Sequence, residues 1–143
     1  MPLVGGGGAG NTAGSNPSGT GTSLNYIGNH CHAESGTIAA VASEQTVLNF
    51  TTGPEYIVAT LTMAAPIRMD VPGDGRGRNY QLDYNGQTVG LYMVEAISED
   101  MPSNTEVRIL IPPFTSVVLT CYDTSTSATH LGTANITGRV YYA

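Results

Sequence analysis

The sequence predicts an all-β fold: an antiparallel two-sheet sandwich of jelly-roll type, preceded by a Gly-rich N-terminal arm that is disordered or extended. Thr, Val, Ile, Tyr and Phe account for 47 of the 143 residues, a composition that disfavours a helical bundle. Gly, Pro, Asn and Ser separate short alternating runs every eight to fifteen residues, which is the spacing of strands in a sandwich. The third observation is that eight of the 18 Gly fall within the first 23 residues.

The chain divides into a flexible arm, residues 1–23, and a β-sandwich domain, residues 24–143. The arm contains no charged side chain, and only Leu3 and Val4 are sizeable apolar groups. It therefore buries too little surface to offset the entropy of ordering it. Stretched out, it reaches about 75 Å, which is enough to cross a neighbouring subunit.

Alternating polar and apolar residues mark eight or nine strands in the domain. The stretch Ala33 to Leu48 is Ala-rich and compatible with a short helix, but its Thr, Ile and Val favour a strand, which we predict. The expected strands cover residues 24–32, 37–42, 46–50, 56–63, 79–84, 87–96, 106–111, 115–122 and 134–142. A two-sheet jelly roll accommodates this number.

The clearest local signal is the hairpin around Asn85-Gly86. A two-residue Asn-Gly loop pairs Leu82 with Val89 and Tyr80 with Leu91, so both apolar pairs share one sheet face. Asp83 and Thr88 then lie on the opposite face.

Charge and hydropathy exclude several classes of partner. The chain has five Arg, no Lys, eleven acidic residues and a formal charge of −6, so it offers no broad cationic surface to nucleic acid. No apolar stretch approaches the roughly 20 residues needed to cross a bilayer, and Met-Pro-Leu-Val-Gly is not the start of a secretory signal. We expect a protein without nucleic-acid or membrane partners that is not exported through a signal peptide.

His30-Cys31-His32 is the sharpest candidate for metal binding, because residues i and i+2 of a strand point to the same face. Glu34 follows too soon to complete a cupin pattern, and His130 is expected in a Ser/Thr-rich loop. We therefore expect surface or interfacial histidines with no metal and no cofactor. Cys31 and Cys121 belong to no CxxC pattern and are expected to be small buried hydrophobic residues.

The Gly/Pro-rich segment Asp70 to Arg78 is expected to be an exposed loop. Its arginines, Arg76 and Arg78, are either solvated or anchors for the carboxylates of a partner. No Ser lies in a GxSxG turn, and the adjacent acids Glu99 and Asp100 have the sequence of a solvated turn. We expect no enzymatic activity and no catalytic residue.

The passages Gly5 to Thr22, Asn29 to Val41 and Ile111 to Thr120 resemble the jelly-roll decoration, or cement, proteins on the capsids of some tailed bacteriophages. The resemblance covers nearly the whole chain and rests on architecture and composition. It implies a structural protein of the virion, made in the host cytoplasm, which bridges major capsid subunits on the outer capsid surface. Expected partner-binding residues are Leu3, Val4, Asn11, Asn16, Arg76 and Arg78.

Two further expectations concern binding. The alternative function is that of a glycan-binding jelly-roll module displayed on a virion or cell surface, with Tyr92, Tyr122, Asp123 or Asn104 holding a sugar.

We also expect a homodimer or homotrimer, because outward apolar residues would remain exposed to water in a monomer. Those residues are Tyr56, Val58, Val118 and Tyr141.

Overall fold

A computed structural model describes residues 24–40, 43–65, 77–95, 103–123 and 130–142. These residues form ten strands and no helix. The strands are β1 (Asn25–Ile27), β2 (His30–Glu34), β3 (Ile38–Ala40), β4 (Gln45–Thr51), β5 (Tyr56–Ala65), β6 (Gly77–Tyr84), β7 (Gln87–Glu95), β8 (Ser103–Ile111), β9 (Ser116–Asp123) and β10 (His130–Tyr141). The proposed arm, residues 1–23, lies outside the described residues, so its flexibility stays a prediction.

The strands form two antiparallel sheets. Sheet 1 has the order β1-β2-β10-β5-β8, with β3 also pairing β10, and sheet 2 has the order β4-β9-β6-β7. The pairs β6/β7, β5/β8, β4/β9 and β3/β10 are nested around the Asn85-Gly86 turn. A chain folded back on itself in this way, with successive pairs in alternate sheets, is a jelly roll. The predicted fold class is confirmed.

The predicted strands are confirmed with small changes at their ends. The expected strand 24–32 is interrupted, because Gly28 adopts a positive φ of 58° and turns β1 back onto β2. The stretch from Ala33 is β-strand in β2 and β3, as expected, and not helix. Within the described part of the chain there is no helix of the length and apolarity needed to cross a membrane.

The β6–β7 hairpin has the predicted turn, but its register shifts by one residue. Asn85 and Gly86 both have positive φ, as a type I′ turn requires, and Asp83 does pair with Thr88. A bulge then sets Leu82 opposite Gly90 and Tyr80 opposite Tyr92. The predicted pairs with Val89 and Leu91 are therefore wrong, because one extra residue in β7 exchanges the faces of everything beyond it.

The core lies between the sheets and is made of alternate residues of nearly every strand. Its large members include Leu48, Ile57, Leu61, Leu119 and Ile136, all without exposed surface. Each full burial of such a side chain stabilises the fold by about 1.5–3 kcal/mol.

Gly138 allows β10 to approach β5 closely. It lies in register with Cys31 on one side and Ala59 on the other, among core residues. A Cβ at this position would stand 2.7 Å from the Cβ of Ala59 and 2.8 Å from the carbonyl oxygen of Val58. Two backbones would have to separate to admit it.

We predict that Gly138→Ala lowers the free energy of unfolding by about 2 kcal/mol, because overpacking a well-filled core strains the backbone. Urea unfolding measures the change. Thr137→Ala, on the exposed face of the same strand, is the control and should change stability by about 0.5 kcal/mol or less. Equal stability of the two variants would contradict this account of the β5–β10 contact.

Candidate functional site

The outer face of sheet 1 carries a pair of exposed tyrosines. Tyr56 of β5 is 39% exposed and stands directly opposite Tyr141 of β10, which is 48% exposed. Opposed residues on adjacent strands have Cβ atoms about 5 Å apart, so the two aromatic side chains are neighbours. Their strand neighbours Ile57 and Val140 are buried in the core.

A row of four residues adjoins the tyrosine pair on the same face. The register aligns His30, Arg139, Val58 and Leu110 across β2, β10, β5 and β8. Strands lie about 4.8 Å apart, so the row spans about 14 Å. All four residues are exposed. The six residues are called the tyrosine face below: Tyr56, Tyr141, His30, Arg139, Val58 and Leu110.

The tyrosine face combines aromatic surface with hydrogen-bond donors. The next row of the sheet continues the polar surface with His32, Thr137, Thr60 and Arg108. Aromatic rings offer flat apolar surface, while the Arg and His side chains offer directed hydrogen bonds. Such a surface can bind a ligand that has both C–H faces and hydroxyl groups.

The residue before Tyr56 is buried and held by hydrogen bonds. Glu55 is fully buried, and its Oε1 accepts hydrogen bonds from the Tyr26 hydroxyl at 2.6 Å and from the Gly53 amide at 3.3 Å. Burial and the Glu55 hydrogen bond raise the pKa of Tyr26 far above its ordinary value. Tyr26 therefore stays a donor at physiological pH. These hydrogen bonds hold Glu55, which directly precedes Tyr56 at the start of β5.

Hydrogen bonds also join the turns at this end of the sandwich. Thr52 and Thr115 bond in both directions: the Thr52 amide donates to the Thr115 carbonyl at 3.0 Å, and the Thr115 amide donates to Thr52 Oγ1 at 2.9 Å. The Phe114 amide donates to the Gly53 carbonyl at 2.8 Å. On the β10 side, the Val140 amide donates to the Asn29 carbonyl at 2.8 Å. These bonds restrict the backbone on both sides of the tyrosine pair.

A second exposed surface of different chemistry lies on β7, the edge strand of sheet 2. Val89, Leu91 and Met93 point outward, and Leu91 is 71% exposed. No charged residue occurs from Gln87 to Val94. Within the described residues, β7 pairs only with β6. The three residues Val89, Leu91 and Met93 are called the β7 strip below.

His30 and His32 do lie on one face of a strand, as predicted. His30 is exposed and His32 half-buried, with Cys31 between them in the core. Among the described residues, no group of three or more His, Cys, Asp or Glu side chains is close enough to hold a metal ion. The two histidines thus belong to the polar surface of sheet 1.

Arg78 is not in an exposed loop. It lies in β6, is 2% exposed, and its Nε donates to the carbonyl oxygen of Leu131 at 2.9 Å. The register sets it opposite Asp123, which is also buried. The expectation of an exposed Arg78 is wrong because β6 begins before Arg78 and turns its side chain inward.

The other expected partner-binding residues lie outside the described part of the chain, so their role stays a prediction. They are Leu3, Val4, Asn11, Asn16 and Arg76.

The four residues expected to hold a sugar are not brought together. Tyr92 packs against the core, Asp123 is fully buried, and Tyr122 is half-buried on the outer face of sheet 2. Asn104 is exposed near the far end of β8. The four therefore form no common site.

Both cysteines are free and buried, as expected. Burial raises the pKa of Cys31 to about 12 and that of Cys121 to about 11. Each thiol therefore stays protonated and unreactive at neutral pH. Their contribution is to packing.

The tyrosine pair could not be read as a site from the sequence. The strand pattern marks Tyr56 and Tyr141 only as outward apolar residues, and they lie 85 positions apart in the chain. Their pairing depends on the β5–β10 register. The useful signal was the alternation in each strand, which put both tyrosines on a non-core face.

No protein-family model and no curated protein matches the chain. Solved structures with a similar arrangement include a family 35 carbohydrate-binding module from an environmental isolate, with 12% identity, 100% of this chain and 96% of that chain covered, and a TM-score of 0.38. Another is the CBM35 of Cellvibrio japonicus Abf62, with 14% identity, coverage of 88% and 80%, and a TM-score of 0.34. A family 35 module from Clostridium thermocellum has 14% identity, coverage of 90% and 84%, and a TM-score of 0.35. Likeness at this level does not place the chain in their family.

We predict that Tyr26→Phe lowers the free energy of unfolding by about 1–3 kcal/mol, because it deprives the buried Glu55 carboxyl group of a hydrogen-bond donor. Chemical denaturation at neutral pH measures the loss. Tyr142→Phe makes the same change at an exposed position and should have almost no effect. If the two variants were equally stable, Glu55 would not depend on Tyr26.

Proposed function

We propose that this chain is a non-catalytic carbohydrate-binding β-sandwich that binds its ligand on the tyrosine face. The observation that carries the proposal is the exposed Tyr56–Tyr141 pair beside Arg139 and His30. The C–H faces of a sugar ring pack on the aromatic side chains, and its hydroxyl groups accept hydrogen bonds from Arg139 and donate to or accept from His30. The row of about 14 Å fits a short oligosaccharide.

The open shape of the face favours a sugar chain over a small enclosed metabolite. The tyrosine face lies on the outside of a sheet, where Val58 and Leu110 continue the apolar surface away from the tyrosines. An extended ligand can follow such a surface along several strands. The affinity of a single open, partly hydrated surface is expected to be low, and display of the domain in many copies would raise the overall affinity.

We predict that a glycan microarray probed with the full chain identifies a bound oligosaccharide, and that Tyr56→Ala and Tyr141→Ala each weaken its binding about tenfold, the equivalent of about 1.4 kcal/mol. Isothermal titration calorimetry measures the affinities. Tyr122→Ala, a tyrosine on the outer face of the other sheet, is the control and should leave the affinity unchanged. Absence of any glycan ligand, or unaltered binding by both face variants, would refute the proposal.

A second candidate function is capsid decoration. The β7 strip favours it, because an edge strand that is uncharged from Gln87 to Val94 and has outward apolar residues is suited to a protein partner rather than to a sugar. In this role the chain sits on the outer surface of a virion and bridges major capsid subunits, with residues 1–23 crossing a neighbouring subunit. A glycan-binding face on the same domain is compatible with display on a virion.

For capsid decoration, we predict that the full chain cosediments with assembled shells of the major capsid protein. A truncated chain, residues 24–143, should melt within a few degrees of the full chain, because it keeps all ten strands of the described residues, while its affinity for shells falls substantially. Calorimetry and cosedimentation measure the two effects. Failure of the full chain to bind shells would remove this candidate, and undiminished binding of the truncated chain would move recognition from the arm to the domain.

A further inference from the structure

We propose that the β7 strip is the interface of a symmetric homodimer, in which β7 pairs antiparallel with β7 of a second copy. The two copies would join their four-stranded sheets into one continuous sheet. This inference goes beyond carbohydrate binding and does not depend on it, since the tyrosine face is on sheet 1 and the strip on sheet 2.

The first argument is the free edge of β7, which no other strand of the described residues covers. Edge strands in monomeric proteins usually carry charged residues, Pro or bulges that face a would-be partner strand. From Gln87 to Val94, β7 has no charge and no Pro, and its bulge lies at Val89 near the turn. Beyond the bulge, the residues from Gly90 to Glu95 run in regular register with β6. This segment can accept a partner strand.

The second argument is charge. The chain has a formal charge of −6, so two copies repel each other over most approaches. The β7 strip is neutral, and the adjacent edge of sheet 1, strand β8, carries one acid and one base, Glu106 and Arg108. A second copy therefore meets little charge repulsion from β7 and β8 on this side of the sandwich.

The third argument is self-complementarity. A two-fold axis through Leu91 sets Leu91 opposite Leu91 of the other copy, and it brings Val89, at the bulge, beside Met93 in both directions. Opposed residues of antiparallel strands point to the same face, so all three apolar residues of the strip meet apolar residues. The three side chains of the strip alone would bury less surface area than the roughly 600 Å² per partner found in the smaller specific interfaces.

The sandwich offers more apolar surface beside the strip. Tyr84, Tyr92, Val107 and Ile109 pack against the core but are only partly buried. The last two belong to β8, whose edge adjoins β7 because these strands contact each other across the two sheets. A second copy on β7 would cover part of this open side of the core.

Sedimentation velocity of the full chain, from low micromolar to several hundred micromolar, tests the proposal. We expect a concentration-dependent monomer–dimer equilibrium that Leu91→Arg abolishes, because the axis would bring two guanidinium groups together. Leu91 is mostly exposed, so the variant should fold, as circular dichroism would verify. Asn49→Arg adds the same charge to the opposite edge strand of sheet 2, β4, and should dimerise like the unaltered chain.

Crosslinking tests the geometry directly. Leu91→Cys, oxidised under mild conditions, should give a disulfide-linked dimer, since the two-fold axis sets the new thiol opposite its own copy. Asn49→Cys should not, and Cys31 and Cys121 are buried and do not interfere.

A monomer at all concentrations, or a dimer that survives Leu91→Arg, would overturn the proposal. Loss of shell binding by Leu91→Arg in a chain that never dimerises would assign the strip to a capsid subunit and also overturn it.

Discussion

The structure depends on one antiparallel fold-back of the chain at Asn85-Gly86. The turn brings β6 and β7 together, and the strands before and after it then pair in nested order until β3 meets β10. Each pairing shortens the loop that the next one has to close, so the entropy cost of distant contacts is reduced step by step. The tyrosine pair depends on the pairing of strands far apart in the chain, because it needs β10 to return to β5. Gly138 allows that return by letting the two backbones approach.

A single bulge in β7 decides which residues of this strand face the core and which face solvent. Without it, the Leu82–Val89 and Tyr80–Leu91 pairs would turn the apolar residues of β7 inward. With it, Tyr92 and Val94 face the core, and Val89, Leu91 and Met93 face solvent. Gly90 accommodates the exchange, since a Cβ there would stand 2.6 Å from Cζ of Tyr92. The ring of Tyr92 thus occupies the space that a side chain at position 90 would fill.

The two exposed surfaces differ in the ligands that their chemistry suits. The tyrosine face presents rings together with Arg and His donors on the outside of a sheet, and hydrogen-bonded turns hold its backbone. The β7 strip is aliphatic and uncharged, at an edge where backbone groups can pair with another strand. A sugar gains little from the strip, and a partner strand cannot add to the middle of sheet 1. The two surfaces can therefore be occupied at the same time.

The amino-acid sequence alone predicts the β class, the Asn85-Gly86 turn, most strand positions and the burial of both cysteines, because alternation and turn chemistry are local properties. It could not determine the register of β7, since a bulge costs little locally and is selected by packing against the rest of the core. Nor could it place Arg78: the Gly/Pro-rich segment predicts a loop, whereas β6 begins at Gly77 and the carbonyl of Leu131 in β10 accepts the Arg78 Nε–H. The tyrosine pair could not be predicted from the sequence either, because Tyr56 and Tyr141 meet only through the alignment of two strands far apart in the chain. Such contacts are decided by the tertiary structure, where burying one face of each strand fixes which residues stand opposite one another.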